Sequence, residues 1–80
     1  MTFVYILHSE LDASRFYIGI SNDPDRRLDE HNCGKSIHTN KFRPWKLTVE
    51  VGFADAARAA DFERYLKSGS GRAFAKKKHF

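Results

Sequence analysis

The sequence predicts a small α+β domain in which a three-stranded, mostly antiparallel sheet is flanked by helices in the order β-β-α-β-α, with a short helix at the C-terminal end. Three observations lead there. Two β-rich runs, residues 2–8 and 15–20, stand on either side of a short polar stretch, as the arms of a hairpin do. A third run, 45–53, alternates apolar with polar side chains. Two helical segments fall between and after these strands, which is the spacing of a layered α+β fold.

Residues Thr2 to His8 are apolar at both parities, Phe3, Tyr5 and Leu7 on one and Val4 and Ile6 on the other, so this strand is expected to be covered on both faces. With the hairpin turn centred near Leu11, residues whose numbers sum to 22 would pair. Tyr5 would then oppose Tyr17 and Phe3 would oppose Gly19, with both phenols on one face.

Ser21-Asn22-Asp23-Pro24 is a helix start, with Asn22 or Asp23 as N-cap and Pro24 in the first turn, where its missing N–H costs nothing. That helix should run to about Cys33, with Gly34 as a stop that takes positive φ. Arg27 and His31 lie four apart on one face, with Leu28 turned more toward the core. Asn32 reads as local turn chemistry.

Residues 35–44 lack periodicity and are expected to form a loop. In the third strand Trp45, Leu47, Val49 and Val51 should share one face, and Trp45 is either core or a stacking platform, core being favoured. The alanine-rich segment 54–67 predicts a helix starting near Asp55 with Phe62, Tyr65 and Leu66 as its apolar stripe. Ser68-Gly69-Ser70-Gly71 ends it, and residues 72–77 form a short terminal helix or a tail.

Eighty residues predict a single domain, residues 1–80, with one modest core. A hydrophobic fraction of 41%, with seven Phe, three Tyr and one Trp, argues against disorder. Cys33 has no internal disulfide partner, and no Cys/His set has zinc-ligand spacing, which fits a reducing, cytoplasmic setting. The opening run has no basic start or cleavage site of a signal peptide, and no stretch approaches the roughly 18 apolar residues of a membrane span, so a soluble protein is expected.

Net charge is +4, and it is unevenly spread: residues 41–80 hold ten basic and four acidic side chains. Such a concentration suits a polyanionic partner, since each cation that meets a phosphate releases condensed counterions, although a well-solvated surface has the same composition.

The segment Phe3-Val4-Tyr5, eleven residues, then Tyr17-Ile18-Gly19 resembles the paired tyrosine motif of the GIY-YIG nuclease superfamily. Arg27 stands ten residues after Tyr17, as the family arginine does, and Glu63 lies in the second long helix, where the family carries its metal-binding glutamate. The Asp-Pro-x-Arg-Arg-Leu-x-Glu-His-Asn run, residues 23–32, and Ser68-Gly69-Ser70-Gly71-Arg72-Ala73-Phe74 resemble the short stand-alone bacterial members, and the whole is similar to the N-terminal nuclease domain of the excision-repair incision subunit. Two positions depart from the pattern. Phe3 replaces the glycine that opens the first motif, and Ile20 stands where the excision-repair branch often has lysine, which leaves more of the phosphate charge to Arg27.

The resemblance implies a divalent-metal-dependent endonuclease that hydrolyses DNA phosphodiester bonds, structure-selective or repair-related, through one Mg²⁺ or Mn²⁺ held by Glu63. RNA stays open as a substrate. It also implies a catalytic set of Tyr5, Tyr17, Arg27, His31 and Glu63. The chemistry suits these side chains. Glu63 is a hard oxygen ligand, and Mg²⁺ commonly keeps several waters beside few protein ligands. Arg27 offers a charged fork of donors to phosphate oxygens. In the family reading Tyr5 deprotonates or orients the attacking water while Tyr17 binds phosphate. A phenol with a pKa near 10 is a poor base at neutral pH, however, and His31, near 6.5, competes for that role. The choice between Tyr5 and His31 stays open in the sequence.

Gly19, Arg26, Lys35, Lys67, Arg72, Lys76 and Lys77 are the expected nucleic-acid contacts, Gly19 by letting the substrate backbone approach the sheet. Plainer readings stand beside these. Glu63 pairs with Lys67 at i,i+4, and His31 interacts with the helix dipole. At the level of function, the alternatives are a nucleic-acid-binding module with little catalysis and a domain that docks to another protein. The larger relatives gain specificity from an added DNA-binding domain, so a partner protein is the expected source of specificity here.

Overall fold

The computed structural model describes residues 1–35 and 39–71, and it contains β1 (Thr2–Ser9), β2 (Phe16–Ser21), α1 (Pro24–Asn32), a 3₁₀ turn (Asn40–Phe42), β3 (Trp45–Phe53) and α2 (Ala56–Lys67). The short C-terminal helix expected over residues 72–77 lies outside the described residues. The strands form one sheet in the order β2-β1-β3, antiparallel at both pairings, so the α+β expectation is borne out. Central β1 is covered on both faces, as its two apolar parities predict. Val4 and Ile6 join Ile18, Ala59 and Leu66 on the α2 side, while Tyr5 and Leu7 join Trp45 on the α1 side, with Tyr17, Leu28, Phe42 and Leu47 packed against them.

The hairpin register differs from expectation by two residues. Phe3 faces Ser21, Tyr5 faces Gly19 and Leu7 faces Tyr17, so paired numbers sum to 24. The cause is the turn, which is built from side chains. The Ser9 hydroxyl accepts from the N–H groups of Leu11 (3.1 Å) and Asp12 (3.0 Å), and the Asp12 carboxylate accepts from the Ser14 N–H and hydroxyl. These bonds centre the loop on Asp12. Because the slip is an even number of residues, Tyr5 and Tyr17 keep a common face as diagonal neighbours.

On β3 the expected single apolar face is split. The register against β1 shifts between Ile6 and Leu7, where the Thr48 hydroxyl donates to the Ile6 carbonyl at 3.1 Å. Trp45 and Leu47 therefore face the α1 side, whereas Val49 and Phe53 pack on the α2 side. Trp45 is core, with its indole N–H donating to the Thr39 carbonyl at 2.8 Å.

Helix α1 starts as its sequence predicts, with the Asp23 side chain accepting from Arg26 N–H, and Gly34 takes a φ of 78° after it. Asn32 does not act locally. Its side-chain amide donates to the Trp45 carbonyl at 3.0 Å and its carbonyl accepts from the Trp45 N–H at 2.6 Å, which ties the end of α1 to the start of β3. Helix α2 is capped by Asp55 and buries Ala59 and Leu66, with Phe62 packed beside them, whereas Tyr65 of the expected stripe is exposed. Gly71 lies against the Tyr65 carbonyl so closely that a Cβ would collide with backbone, which is why the chain needs glycine after that helix.

Candidate active site

Tyr5 lies on the central strand and is only 2% exposed, packed in the α1-side core. Its ring leans across the sheet onto β2. A Cβ on Gly19 would collide with the Tyr5 phenol, whose Cε1 would be 2.9 Å away. The close approach that Gly19 permits is thus that of Tyr5, and the substrate backbone expected there finds this face of the glycine filled. Tyr17 follows along the same face, with ring centroids 6.3 Å apart.

His31 is brought to Tyr17 by the last turn of α1, at 4.7 Å between ring centroids and a tilt of 55°. It is 6% exposed, and its Nδ1 is hydrogen-bonded to the Thr39 hydroxyl at 2.8 Å. Burial holds its pKa below the ordinary histidine value, and the Arg27 charge adds to that, against a smaller opposing effect of Glu30. Burial works against the charge that a partner of the helix dipole carries, so the dipole reading gains no support from this setting. Among the described residues this ring makes no other hydrogen bond.

Arg27 is half-exposed and pairs with Glu30 at 3.4 Å, while Arg26 reaches the same carboxylate at 4.0 Å. Glu30 is a site residue that sequence reasoning missed, although its i,i+3 spacing from Arg27 was a usable signal. Thr39 was missed too, and it lies in a segment with no period to read. Arg26 and Lys35 are exposed, and Arg72, Lys76 and Lys77 lie outside the described residues.

Glu63 comes from the opposite layer, since α2 packs on the other face of the sheet. Its side chain is only 20% exposed and pairs with Lys67 at 3.4 Å, as the i,i+4 spacing predicts. Its charge still reaches Tyr5. The Tyr5 hydroxyl is pushed up to about 12, first by burial and then by Tyr17, with Glu30 and Glu63 adding and Arg27 alone opposing. The five expected catalytic residues therefore lie within one electrostatic neighbourhood, Tyr17 and His31 in ring contact and the carboxylate of Glu63 in the field of Tyr5.

Residues 1–78 match the family described as the GIY-YIG catalytic domain. The chain belongs to the GIY-YIG family. Among curated proteins, it is 39% identical over 71 residues to the structure-specific endonuclease subunit SLX1 of Chaetomium globosum, covering 81% of this chain and 22% of that protein. It is 42% identical over 67 residues to the SLX1 subunit of Scheffersomyces stipitis (75% and 20%) and 45% identical over 64 residues to that of Schizosaccharomyces japonicus (74% and 23%). The GIY-YIG domain thus spans about a fifth to a quarter of the length of these relatives.

The donor set fits a sparsely held hard cation. Among the described residues no three His, Cys, Asp or Glu side chains gather into a metal-binding group. Glu63 and Glu30 are the carboxylates whose charge reaches the Tyr5 phenol, and a Mg²⁺-like ion accepts a single such ligand when water and substrate oxygens complete its shell.

Proposed function

We propose that this GIY-YIG domain is the catalytic part of a divalent-metal-dependent DNA endonuclease that acts on branched or otherwise irregular DNA. The observation that carries it is the convergence of Tyr5, Tyr17, Arg27 and His31 from three elements on one face, with Glu63 within their field. The name of the similar fungal proteins, structure-specific endonuclease subunit, supports the substrate class and points to a partner protein as the source of specificity.

Glu63 would hold the one Mg²⁺ or Mn²⁺, which would supply screening of the phosphate and stabilisation of the charge that grows on the leaving oxygen. Arg27 grips the non-bridging oxygens of the scissile phosphate, giving up its loose pair with Glu30. The Tyr17 hydroxyl donates to the same phosphate. A water attacks phosphorus, the bond to the leaving oxygen breaks, and the water's proton passes to a base. What supports His31 as that base is its lowered pKa and its ring contact with Tyr17, and Nε2 carries the free lone pair when Nδ1 bears the proton toward Thr39. Tyr5, raised to about 12, remains a neutral phenol that orients the water.

Cleavage of single-stranded, duplex and branched DNA and RNA with Mg²⁺, Mn²⁺ or EDTA tests this. Products are expected on branched DNA with metal and not with EDTA, reduced by about a hundredfold or more in Arg27→Ala and Glu63→Ala, the scale of losing a transition-state contact. Salt-sensitive binding without cleavage of any substrate would replace the enzyme with a nucleic-acid-binding module.

A further inference from the structure

An open groove of about 290 Å³ lies where β2 passes under the end of α2, lined by Phe16, Tyr17, Ile18 and Lys67. It adjoins the active site through two of its walls. Tyr17 touches His31, and the Lys67 ammonium is paired with Glu63. Phe16 forms the outer wall and belongs to neither core cluster, with 49% of its surface exposed and its ring near His8 at 6.1 Å. The floor is the open edge of the sheet. The Arg15 carbonyl bonds to the Ser9 N–H, so by strand alternation the peptide groups of Phe16 and Ile18 point away from β1, toward the groove.

We propose that this groove seats the nucleoside attached to the scissile phosphate, its base stacked on Phe16 and its outer phosphate on Lys67. The inference rests on the nuclease reading and adds the source of its selectivity. An aromatic ring, a cation and peptide groups turned away from β1 around a space near the lower end of small-ligand sites suit one base with its sugar and phosphate. Lys67 can take that role, because its own end of the pair with Glu63 is half-exposed and an ammonium so placed can exchange a carboxylate for a phosphate. A base stacked inside a duplex is out of reach of Phe16, whereas one at a junction or flap is not. The groove therefore favours cleavage beside an unpaired nucleotide.

The test uses splayed-arm DNA with a single 2-aminopurine stepped through the unpaired arm near the junction. Binding is followed by its emission in EDTA, and cleavage of the same DNA is followed with Mg²⁺. Wild type is expected to quench one position. Phe16→Ala should lose that quench, raise KM by about tenfold and lose the preference for splayed-arm over fully paired DNA, and Phe16→Trp should restore all three. Lys67→Gln should lower the slope of log affinity against log salt by about one, with Lys67→Arg restoring it. Both side chains are about half exposed, so equal melting temperatures are expected for all variants. An unchanged quench and substrate preference in Phe16→Ala would overturn the groove, even if wild type cleaves. A Phe16-dependent quench without cleavage by wild type would uphold the groove while removing the nuclease.

Discussion

Tyr5 and Gly19 form a steric pair, since the phenol occupies the space that any side chain at 19 would need. Gly19→Ala should therefore lower stability by about 1–3 kcal/mol, the usual scale of overpacking a core, and displace Tyr5 enough to cut cleavage. Thermal melts of Gly19→Ala in wild-type and Tyr5→Ala backgrounds check this, and the penalty should shrink in the second if the contact is direct. The titrating groups give opposite pH limits. His31 has a lowered pKa, so the acid limb of kcat/KM should fall below the ordinary histidine value of 6.5 and disappear in His31→Gln, if the imidazole is the base. Tyr5 has a raised pKa. The unfolded chain loses that proton near 10 and the folded chain near 12, so stability present below pH 10 is lost as pH rises through that window. Denaturation curves at pH 9 and 11.5 should show a drop in wild type that Tyr5→Phe reduces. At this scale the two tyrosines, Arg27 and Glu63 entered as candidates through the family resemblance, and the structure sets the rings of Tyr5 and Tyr17 6.3 Å apart. Glu30 was passed over although its spacing from Arg27 was there to read, and Thr39 was not legible because it lies in an aperiodic loop.

Local signals at the level of elements were the most readable part of this chain. Asp23-Pro24 starts α1, Asp55 starts α2, and the parity of residues 2–8 announced a strand covered on both sides. What escaped was set by partners distant in sequence. The hairpin register depends on hydroxyl bonds in the turn, the bulge at Thr48 answers to Ile6, and Asn32 finds Trp45 thirteen residues away. Helix α1 carries both Arg27 and His31, so its two fastenings should be felt in function. Asp23→Ala should cost about 1 kcal/mol as a lost N-cap. Asn32→Ala should cost about 1–3 kcal/mol by leaving the Trp45 peptide groups without partners, and should weaken cleavage more than Asp23→Ala because it frees the end that bears His31. Urea unfolding and cleavage rates measured side by side test that order.

Across the whole molecule, the sequence concentrates its positive charge in the C-terminal half, whereas the charges at the candidate site nearly balance, Arg26, Arg27 and Lys67 against Glu30 and Glu63. Binding strength should then come from outlying cations and chemistry from the balanced centre. Lys76→Gln with Lys77→Gln is expected to weaken DNA binding evenly across substrates and to flatten its salt dependence, leaving kcat at saturating DNA close to wild type. Fluorescence anisotropy across a salt series, paired with saturating turnover, would separate the two.

The Asn32 amide also makes the end of α1 behave toward β3 as a neighbouring strand would, with one residue gripped at both its N–H and its C=O. The Trp45 amide proton, held by that grip, becomes a built-in gauge. Its exchange with deuterium should speed up when the helix bearing Arg27 and His31 lifts from the sheet, so one backbone proton reports how long the catalytic face stays assembled.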